Sequence, residues 1–360
     1  MTHQIFQADT GLFYCPLPSA VHPDVAEITR RSIEWMTRIG LCADERRRRR
    51  LVATNSAEFF CRMAPEGAED RVQIGADWCY WGFAFDDFWS DKSQEGARPG
   101  DFIPLVARML RLIETLDARL CDGDPYLMAL HDIALRFYQC ATPAQHRRWI
   151  EAQRQWLFGV VQRSSFEARG RMPALDGYVT MRLHDCGAAP VTVMVEIANG
   201  DEVPDHEMES PVVRALTEVT WMLGAIDNER VSRAKEIHGE GQEHSFVDVL
   251  AHERGHTPEQ ALHDVVAMRD RMMCLFLRLR EQAMHQASPA LTRHITDLGH
   301  VIRGHIEWSL NTTRYSTVYG AGESPIGTVD LSSGWASAPA DDRLEPPPIP
   351  SIAWWWDQLA

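Results

Sequence analysis

Apolar residues recur along most of the chain at intervals of three and four, the spacing that places them on one face of an α-helix. Between Val25 and Gly40 this spacing is clear, and Gly40 suits the end of a helix. The same pattern predicts helices at 52–64, 70–89, 102–120, 125–139 and 143–165, from about 176, and at 210–237, 243–253, 258–286 and 289–318. No stretch alternates strictly between apolar and polar residues, as a half-buried strand would. The sequence therefore predicts an all-α fold.

The two ends of the chain differ from this pattern. Residues 1 to 23 contain Pro16, Pro18 and Pro23 and are expected to form a loop. Residues 321 to 352 are rich in proline and are expected to lack regular structure, although the closing run 354–356 is three tryptophans. We predict one helical domain over 1–320 and a Pro-rich tail over 321–360 that is disordered or docks on the domain as a lid.

Composition narrows the classes of function. A net charge of −15 argues against a nucleic-acid partner, because phosphate binding needs a basic surface. Eight scattered cysteines without a C-x-x-C pair indicate reduced thiols, and the chain shows no signal-peptide layout and no apolar run long enough to insert in a membrane. We therefore expect a cytoplasmic protein, alone or as a homodimer. The basic run 46–50 is interpreted as an exposed helix face.

The first candidate for chemistry is a cluster of aspartates. Asp86, Asp87 and Asp91 follow a mostly aromatic and apolar run. At about 100° per residue they fall at roughly 0°, 100° and 140° on one side of a helix. Like charges so close repel one another, and a hard cation such as Mg²⁺ between them would remove that repulsion. Taken alone, a solvated acidic helix end explains the cluster equally well.

A second candidate lies near residue 230. Asn228, Ser232 and Glu236 are spaced by four residues, so they share one helical stripe. An amide oxygen, a hydroxyl and a carboxylate in a row can supply three oxygen ligands to one cation. Lys235 beside them could bind a phosphate, although a solvated polar face would show the same pattern.

Two further segments each contain an arginine suited to an anion. Arg182 lies in a helical pattern that is expected to break at Pro190, after Gly187, and to expose backbone carbonyls there. Arg314 and Tyr315 lie at the end of the last predicted helix. A guanidinium and a phenol can both donate hydrogen bonds to carboxylate or phosphate oxygens.

In their order and spacing, the four segments resemble the bacterial class I terpene synthases, from about residue 14 to 320. The aspartate-rich motif of that family is matched by 86–91, and its N-x-x-x-S-x-x-K-E metal motif by 228–236. The family's diphosphate-sensing arginine is matched by Arg182, 46 residues before the asparagine, and its late Arg-Tyr pair by 314–315.

Three positions depart from the family pattern. Three residues separate Asp87 from Asp91, where many members have two. Glu229 stands where the family usually has aspartate. Cys186 stands where members often have a glycine whose carbonyl helps to trigger ionisation, a role that the carbonyl of any residue can fill.

The resemblance implies an all-α, single-domain helical bundle around a central cavity, with three Mg²⁺ ions and an isoprenoid diphosphate as substrate. It assigns the metal to Asp86, Asp87, Asp91, Asn228, Ser232 and Glu236, and the diphosphate to Arg182, Lys235, Arg314 and Tyr315. Catalysis would involve Arg182, Asp185, Cys186, Arg314 and Tyr315. Aromatic candidates for the cavity wall are Phe59, Phe60, Phe83, Trp221 and Trp308, each more typical of core except Phe83 and Trp308. Of these, Phe59, Phe83 and Trp308 are assigned to substrate binding.

The implied reaction is ionisation of a linear isoprenoid diphosphate and cyclisation of the carbocation to a terpene hydrocarbon or alcohol. We favour farnesyl diphosphate, since sesquiterpene cyclases are common in the family, and keep geranylgeranyl diphosphate as an alternative. A chain-elongating prenyltransferase of the same fold should carry two aspartate-rich motifs, whereas the second motif here is Asn/Ser/Glu. A non-enzymatic helical scaffold gives no reason for the arginines and lysine to accompany both metal motifs. A di-iron bundle would need Glu-x-x-His pairs and is discounted.

Overall fold

The computed structural model describes residues 4–42, 44–87, 99–238, 244–319, 325–331 and 333–360. Most of these residues are helical, which confirms the predicted all-α class. In chain order the helices are α1 (Val25–Arg38), α2 (Glu45–Val52), α3 (Ser56–Met63), α4 (Glu69–Phe85), α5 (Pro99–Thr115), α6 (Pro125–Cys140), α7 (Pro143–Arg169), α8 (Leu175–Asp185), α9 (Ala188–Asn199), α10 (Asp205–Met208), α11 (Pro211–His238), α12 (Phe246–Arg254), α13 (Pro258–Met284), α14 (Pro289–Asn311), α15 (Thr313–Ser316) and α16 (Pro350–Ala353).

Local capping explains why several helices begin where the sequence predicts. At the start of α7 the Gln145 amide donates to the Thr142 hydroxyl, and the Gln145 side chain accepts from the Thr142 amide. Thr257 and Gln260 form the same pair at the start of α13. Each pair satisfies two backbone amides that have no partner within the helix, so the helix start is fixed locally.

The predicted helix 289–318 is too long. The helix α14 ends at Asn311, and Thr312 adopts an extended backbone with φ −79° and ψ 145°. Its hydroxyl accepts from the Arg314 amide and so starts the separate turn α15. This bend directs Arg314 and Tyr315 away from the axis of α14.

The break in the helical pattern near residue 187 has a different cause from the one expected. Gly187 has a φ of +73°, a left-handed conformation that strains other residues, and it separates α8 from α9. Pro190 does not interrupt a helix, because it lies in the first turn of α9, where its missing amide hydrogen costs little.

Two clusters of buried apolar side chains form the core. One joins α8, α11, α12, α13 and α14, and the other joins α1, α3, α4, α5, α6, α7 and α9. Phe59 and Phe83 pack against both clusters. A cavity lined by residues of both clusters lies between them.

The chain ends form a small sheet that the sequence did not predict. Its strands are β1 (Gln4–Gln7), β2 (Thr317–Tyr319) and β3 (Pro325–Asp330), in the order β1-β3-β2. Strand β1 runs parallel to the central strand β3, with Gln4 opposite Gly327, whereas β2 runs antiparallel to β3. A Cβ on Gly327 would lie 2.5 Å from the Gln4 carbonyl oxygen, so the strands approach closely because this residue is glycine. The expectations of a loop over 1–23 and of no regular structure over 321–352 are therefore wrong in these strands.

The rest of the tail packs on the helical body. Ile352 and Trp355 are fully buried, and Trp355 Nε1 donates to Glu218 Oε2 in α11 over 2.8 Å. The Ser351 amide donates to Asp176 Oδ1 in α8 over 2.9 Å. The short helix α16 also contradicts the expectation for 321–352, while the division of the chain at residue 320 stays a prediction.

Buried arginines hold the N-terminal segment on α11 and α13. Arg269 Nη2 donates to Asp227 Oδ2 over 2.8 Å, and Arg230 Nη1 donates to the other oxygen over 3.0 Å. Arg230 Nε also donates to the Thr10 carbonyl over 2.9 Å. Within the part of the chain that the structure describes, no helix is both long and apolar enough to cross a membrane.

Candidate active site

A cavity of about 830 Å³ lies between the two core clusters. Every site residue predicted from the sequence lines it, except Asp91, which falls outside the described residues. The predicted residues in its wall are Phe59, Phe83, Asp86, Asp87, Arg182, Asp185, Cys186, Asn228, Ser232, Lys235, Glu236, Trp308, Arg314 and Tyr315. Phe60 and Trp221 do not line the cavity; Phe60 is fully buried, whereas Trp221 is only half-buried, so its interpretation as a core residue stays a prediction.

The carboxylates that end α4 form one wall and are paired with arginines. Arg314 Nη1 donates to Asp87 Oδ2 over 2.9 Å, and Arg163 Nη2 donates to Asp86 Oδ1 over 3.0 Å. Burial alone would raise the pKa of Asp87, but Arg314, Lys235 and Arg50 hold it down to about 2. Asp87 is therefore charged at neutral pH, although only 4% of it is exposed.

The stripe on α11 forms a second wall. Asn228 Nδ2 donates to the Tyr315 hydroxyl over 2.7 Å, which leaves the amide oxygen of Asn228 for another partner. The Ser232 hydroxyl is buried and has no hydrogen-bond partner among the described residues. Glu236 follows one turn later on the same stripe and also lines the cavity. A buried hydroxyl without a partner is costly, and a bound ligand would satisfy it.

Arg182 lies at the end of α8 in a buried ionic cluster. Its Nη1 donates to Asp185 Oδ1 over 2.5 Å, and its Nε is 2.6 Å from Glu229 Oε1. The Tyr178 hydroxyl donates to the same Glu229 oxygen over 2.8 Å. Burial raises the pKa of Glu229 to about 7, against the opposing effect of Arg182. The carboxylates beside Arg182 thus fix its guanidinium at the cavity wall.

Asp185 and Cys186 lie at the turn between α8 and α9. The Asp185 carbonyl accepts a hydrogen bond from Trp156 Nε1 over 3.1 Å, so this carbonyl is already engaged. Cys186 is the last residue before Gly187, and burial raises the pKa of its thiol to about 11. The thiol is therefore protonated at neutral pH.

Lys235 and Tyr315 line the cavity beside Arg314. Lys235 Nζ lies 6.0 Å from the centre of the Tyr315 ring. Burial and the neighbouring Arg314 lower the pKa of Lys235, while Asp87 and Glu236 oppose that shift. Burial also raises the pKa of Tyr315 to about 12, so its hydroxyl keeps a proton to donate.

Aromatic rings cover much of the remaining wall. Phe83 stacks on Trp308 with 5.3 Å between ring centres, and Phe59 packs edge-on against Trp308 at 4.7 Å. Trp308 Nε1 donates to the Thr54 carbonyl over 3.0 Å, which satisfies its only polar group. These three rings form one continuous apolar surface, here called the aromatic wall.

Sequence reasoning missed several residues of the cavity wall. Arg50 was interpreted as part of an exposed face, yet it lines the cavity and only 12% of its side chain is exposed. At about 100° per residue, five consecutive arginines span more than a full turn, so the run itself indicates that one must face inward. Arg163, Trp78 and Trp156 also line the cavity, and nothing in their local pattern singles them out.

The side-chain oxygens on the two walls are suitable ligands for a hard divalent cation. Asp86, Asp87, Asn228, Ser232 and Glu236 each have a side-chain oxygen, the ligand atom that Mg²⁺ prefers. The partnerless Ser232 hydroxyl is the feature that a cation would satisfy. Among the described residues no three His, Cys, Asp or Glu side chains form a metal-holding group by themselves, so the set depends on its amide and hydroxyl members.

The chain is similar to known proteins of one family. Residues 77–274 match the family described as "Terpene synthase family 2, C-terminal metal binding". Spiroviolene synthase of Streptomyces violens is 38% identical over 353 residues, covering 98% of this chain and 97% of that protein. Bonnadiene synthase of Allokutzneria albata is 34% identical, covering 97% and 98%. The crystal structure of SVS_A2, a protein from ancestral sequence reconstruction, has a TM-score of 0.87 at 41% identity, covering 97% of this chain and 99% of that one. The chain therefore belongs to the terpene synthase family of enzymes.

Proposed function

We propose that the protein is a Mg²⁺-dependent terpene cyclase that ionises a linear isoprenoid diphosphate and cyclises the resulting carbocation to a terpene hydrocarbon or alcohol. The observation that supports this most is the composition of one cavity. Two oxygen-rich walls and four donors suited to diphosphate face an apolar aromatic wall within about 830 Å³. Such a site can bind an anion at one end and a hydrocarbon chain at the other.

In the proposed first step, the bond between the allylic carbon and the diphosphate oxygen breaks, and its electron pair leaves with the diphosphate. Arg182, Lys235, Arg314 and Tyr315 donate hydrogen bonds to the leaving oxygens and stabilise the charge that develops there. Mg²⁺ ions, three by the family resemblance, would be held by the α4 and α11 ligands and would supply Lewis-acid stabilisation of the same oxygens.

The aromatic wall suits the second step. A face of Phe59 or Trp308 that is open to the cavity would stabilise a nearby cation by about 0.5–2 kcal/mol. The Phe83 ring, by contrast, stacks on Trp308 and already has the Arg314 guanidinium 4.6 Å from its centre. The three rings bring no nucleophile, so a carbocation beside them survives long enough to cyclise, provided that water is excluded. The reaction then ends when the cation loses a proton or captures water.

The length of the isoprenoid chain of the substrate is also part of this proposal. A relative in Streptomyces clavuligerus, 33% identical, is named a farnesyl diphosphate cyclizing synthase, and another from Streptomyces, 28% identical, is named a diterpene cyclase. The cavity volume is in the upper part of the range of about 300–1,000 Å³ for small-molecule sites. We therefore propose farnesyl or geranylgeranyl diphosphate as the substrate.

The test is incubation of the purified protein with Mg²⁺ and C10, C15 or C20 diphosphate, followed by gas chromatography. We expect cyclic products from the C15 or the C20 substrate. Formation of a longer linear diphosphate when isopentenyl diphosphate is added would identify a prenyltransferase instead. Absence of any product from all three substrates would support a non-enzymatic scaffold.

A further inference from the structure

One arginine of the basic run in α2 lines the cavity, whereas the next residue before it in the run is exposed. Arg49 has 73% of its side chain exposed, whereas Arg50 has 12% exposed. Arg50 lines the same cavity as the predicted diphosphate-binding residues. The two residues are adjacent in sequence, and the rotation of about 100° between them places their side chains on different faces of α2.

Arg50 belongs to a group of cations around one buried carboxylate. Its Nη2 is 3.9 Å from Asp87 Oδ2, the oxygen that also accepts the 2.9 Å hydrogen bond from Arg314. Lys235 acts on the same carboxylate from α11. If Asp87 turns to a metal ion, as the proposed function requires, these three cations lose one of the carboxylates near them. Asp86 also lies 3.9 Å from Arg314, and Glu236 also acts on Lys235. Like charges in a buried site then need an anion, and a diphosphate supplies several negative charges.

Tyr319 is the aromatic partner of Arg50. The Arg50 guanidinium lies 4.7 Å from the centre of the Tyr319 ring, which itself lines the cavity. Tyr319 is the last residue of β2, and β2 is held by its pairing with β3 and by the buried side chain of Val318. The small sheet formed by the chain ends thus fixes the ring on which Arg50 lies.

We propose that Arg50 is a further diphosphate-binding residue and that Tyr319 is the positioning residue that holds it at the site. Arg50 donates to diphosphate oxygens together with Arg314 and Lys235. Through Tyr319, the strands from both ends of the chain contribute to substrate binding. This inference rests on the proposed function, because it needs a diphosphate in the cavity.

The main test is calorimetric binding of inorganic diphosphate with Mg²⁺ to the full-length wild type, Arg50→Gln and Arg50→Lys, with Arg49→Gln as the matched exposed control. We expect Arg50→Gln to weaken binding by at least about ten-fold, as for loss of a charged hydrogen bond, and Arg49→Gln to leave it unchanged. Arg50→Lys keeps the charge and should fall between them. Melting temperatures verify that each variant is folded.

Two outcomes would overturn the inference in distinguishable ways. Equal binding by Arg50→Gln and Arg49→Gln would remove Arg50 from the site and leave the proposed function intact. No binding by the wild type, together with no turnover of isoprenoid diphosphates, would remove the diphosphate site altogether.

The role of Tyr319 needs its own variants. Tyr319→Phe keeps the ring beside Arg50, and Tyr319→Leu removes it. We expect Tyr319→Leu to raise the KM for the isoprenoid diphosphate by about 2–5-fold with little change in kcat, and Tyr319→Phe to keep the wild-type KM. Equal KM values for the two variants would contradict the positioning role.

Discussion

Arg314 Nη1 donates a 2.9 Å hydrogen bond to Asp87 Oδ2, and this bond joins the turn after α14 to the end of α4. The two residues are 227 positions apart in the sequence. Their contact places the candidate metal ligands of α4 beside the candidate diphosphate ligands of α15. Without a bound metal ion, the negative charge of the Asp87 carboxylate and the positive charge of the Arg314 guanidinium balance each other. We expect substrate and metal to separate this pair.

The first prediction concerns Arg182. Arg182→Lys keeps a positive charge but loses the planar fork that binds two oxygens at once. If Arg182 senses diphosphate, turnover should fall by at least ~10-fold, about 1.4 kcal/mol of barrier, while the protein stays folded. Turnover and melting temperature should be measured on the same preparations.

A matched control separates this role from a structural one. Arg148 also pairs with a buried carboxylate, since its Nη1 is 2.7 Å from Glu196 Oε1, but it does not line the cavity. Arg148→Lys should lower the melting temperature and leave kcat near the wild-type value. If Arg182→Lys behaves in the same way, Arg182 is a structural ion-pair partner and the sensor role is wrong.

The second prediction concerns Asn228. Asn228→Ala removes the amide oxygen proposed to bind the cation, so the Mg²⁺ concentration for half-maximal rate should rise. Tyr315→Phe is the control, because it removes the hydrogen-bond partner of Asn228 but leaves that oxygen in place. We expect Tyr315→Phe to change the KM for substrate rather than the Mg²⁺ dependence. An unchanged Mg²⁺ requirement in Asn228→Ala would mean that the α11 stripe is only a polar face.

The third prediction concerns pH and lies away from the cavity. Asp297 in α14 accepts a 2.5 Å hydrogen bond from Asn199 Nδ2, and burial raises its pKa to about 7, helped by Glu66 and opposed by Asn199 and Arg293. Between pH 4 and 7 the folded state therefore holds a proton that the unfolded state has lost. Stability should fall as pH rises through this window, by up to about 1.4 kcal/mol per unit.

Asp297→Asn tests this directly, because an amide cannot lose that proton and keeps an oxygen for Asn199. Chemical denaturation at about pH 5 and about pH 8 should show the wild type losing stability relative to the variant. The same difference between the two proteins at both pH values would contradict the raised pKa of Asp297.

The sequence predicted those parts of the site that depend on spacing within one helix. Asn228, Ser232 and Glu236 share a stripe because of helical periodicity alone, and the structure places all three in the cavity wall. The predicted break lies at the right place but has the wrong cause: only Gly187 can adopt the positive φ found there, because the ring of Pro190 fixes its φ near −65° and the first turn of α9 tolerates it.

The missed features depend on contacts between distant parts of the chain. Trp156 and Arg163 reach the cavity through the packing of α7, which no local pattern records. The strands β1, β2 and β3 have only four, three and six residues, too short for a clear alternation. Their pairing joins Gln4 to Gly327, and such long-range register is set by tertiary structure.

The central claim is that Mg²⁺ held partly by Asp86 drives ionisation of an isoprenoid diphosphate. Its most direct test is diphosphate release from farnesyl and geranylgeranyl diphosphate, with Mg²⁺ or with a chelator, by the wild type and Asp86→Ala. Glu281→Ala, which removes an exposed carboxylate from α13, is the control. We predict release by the wild type and Glu281→Ala only with Mg²⁺, and almost none by Asp86→Ala with an unchanged circular dichroism spectrum. Release that persists without Mg²⁺, or a folded Asp86→Ala protein that keeps most of the wild-type rate, would contradict the claim.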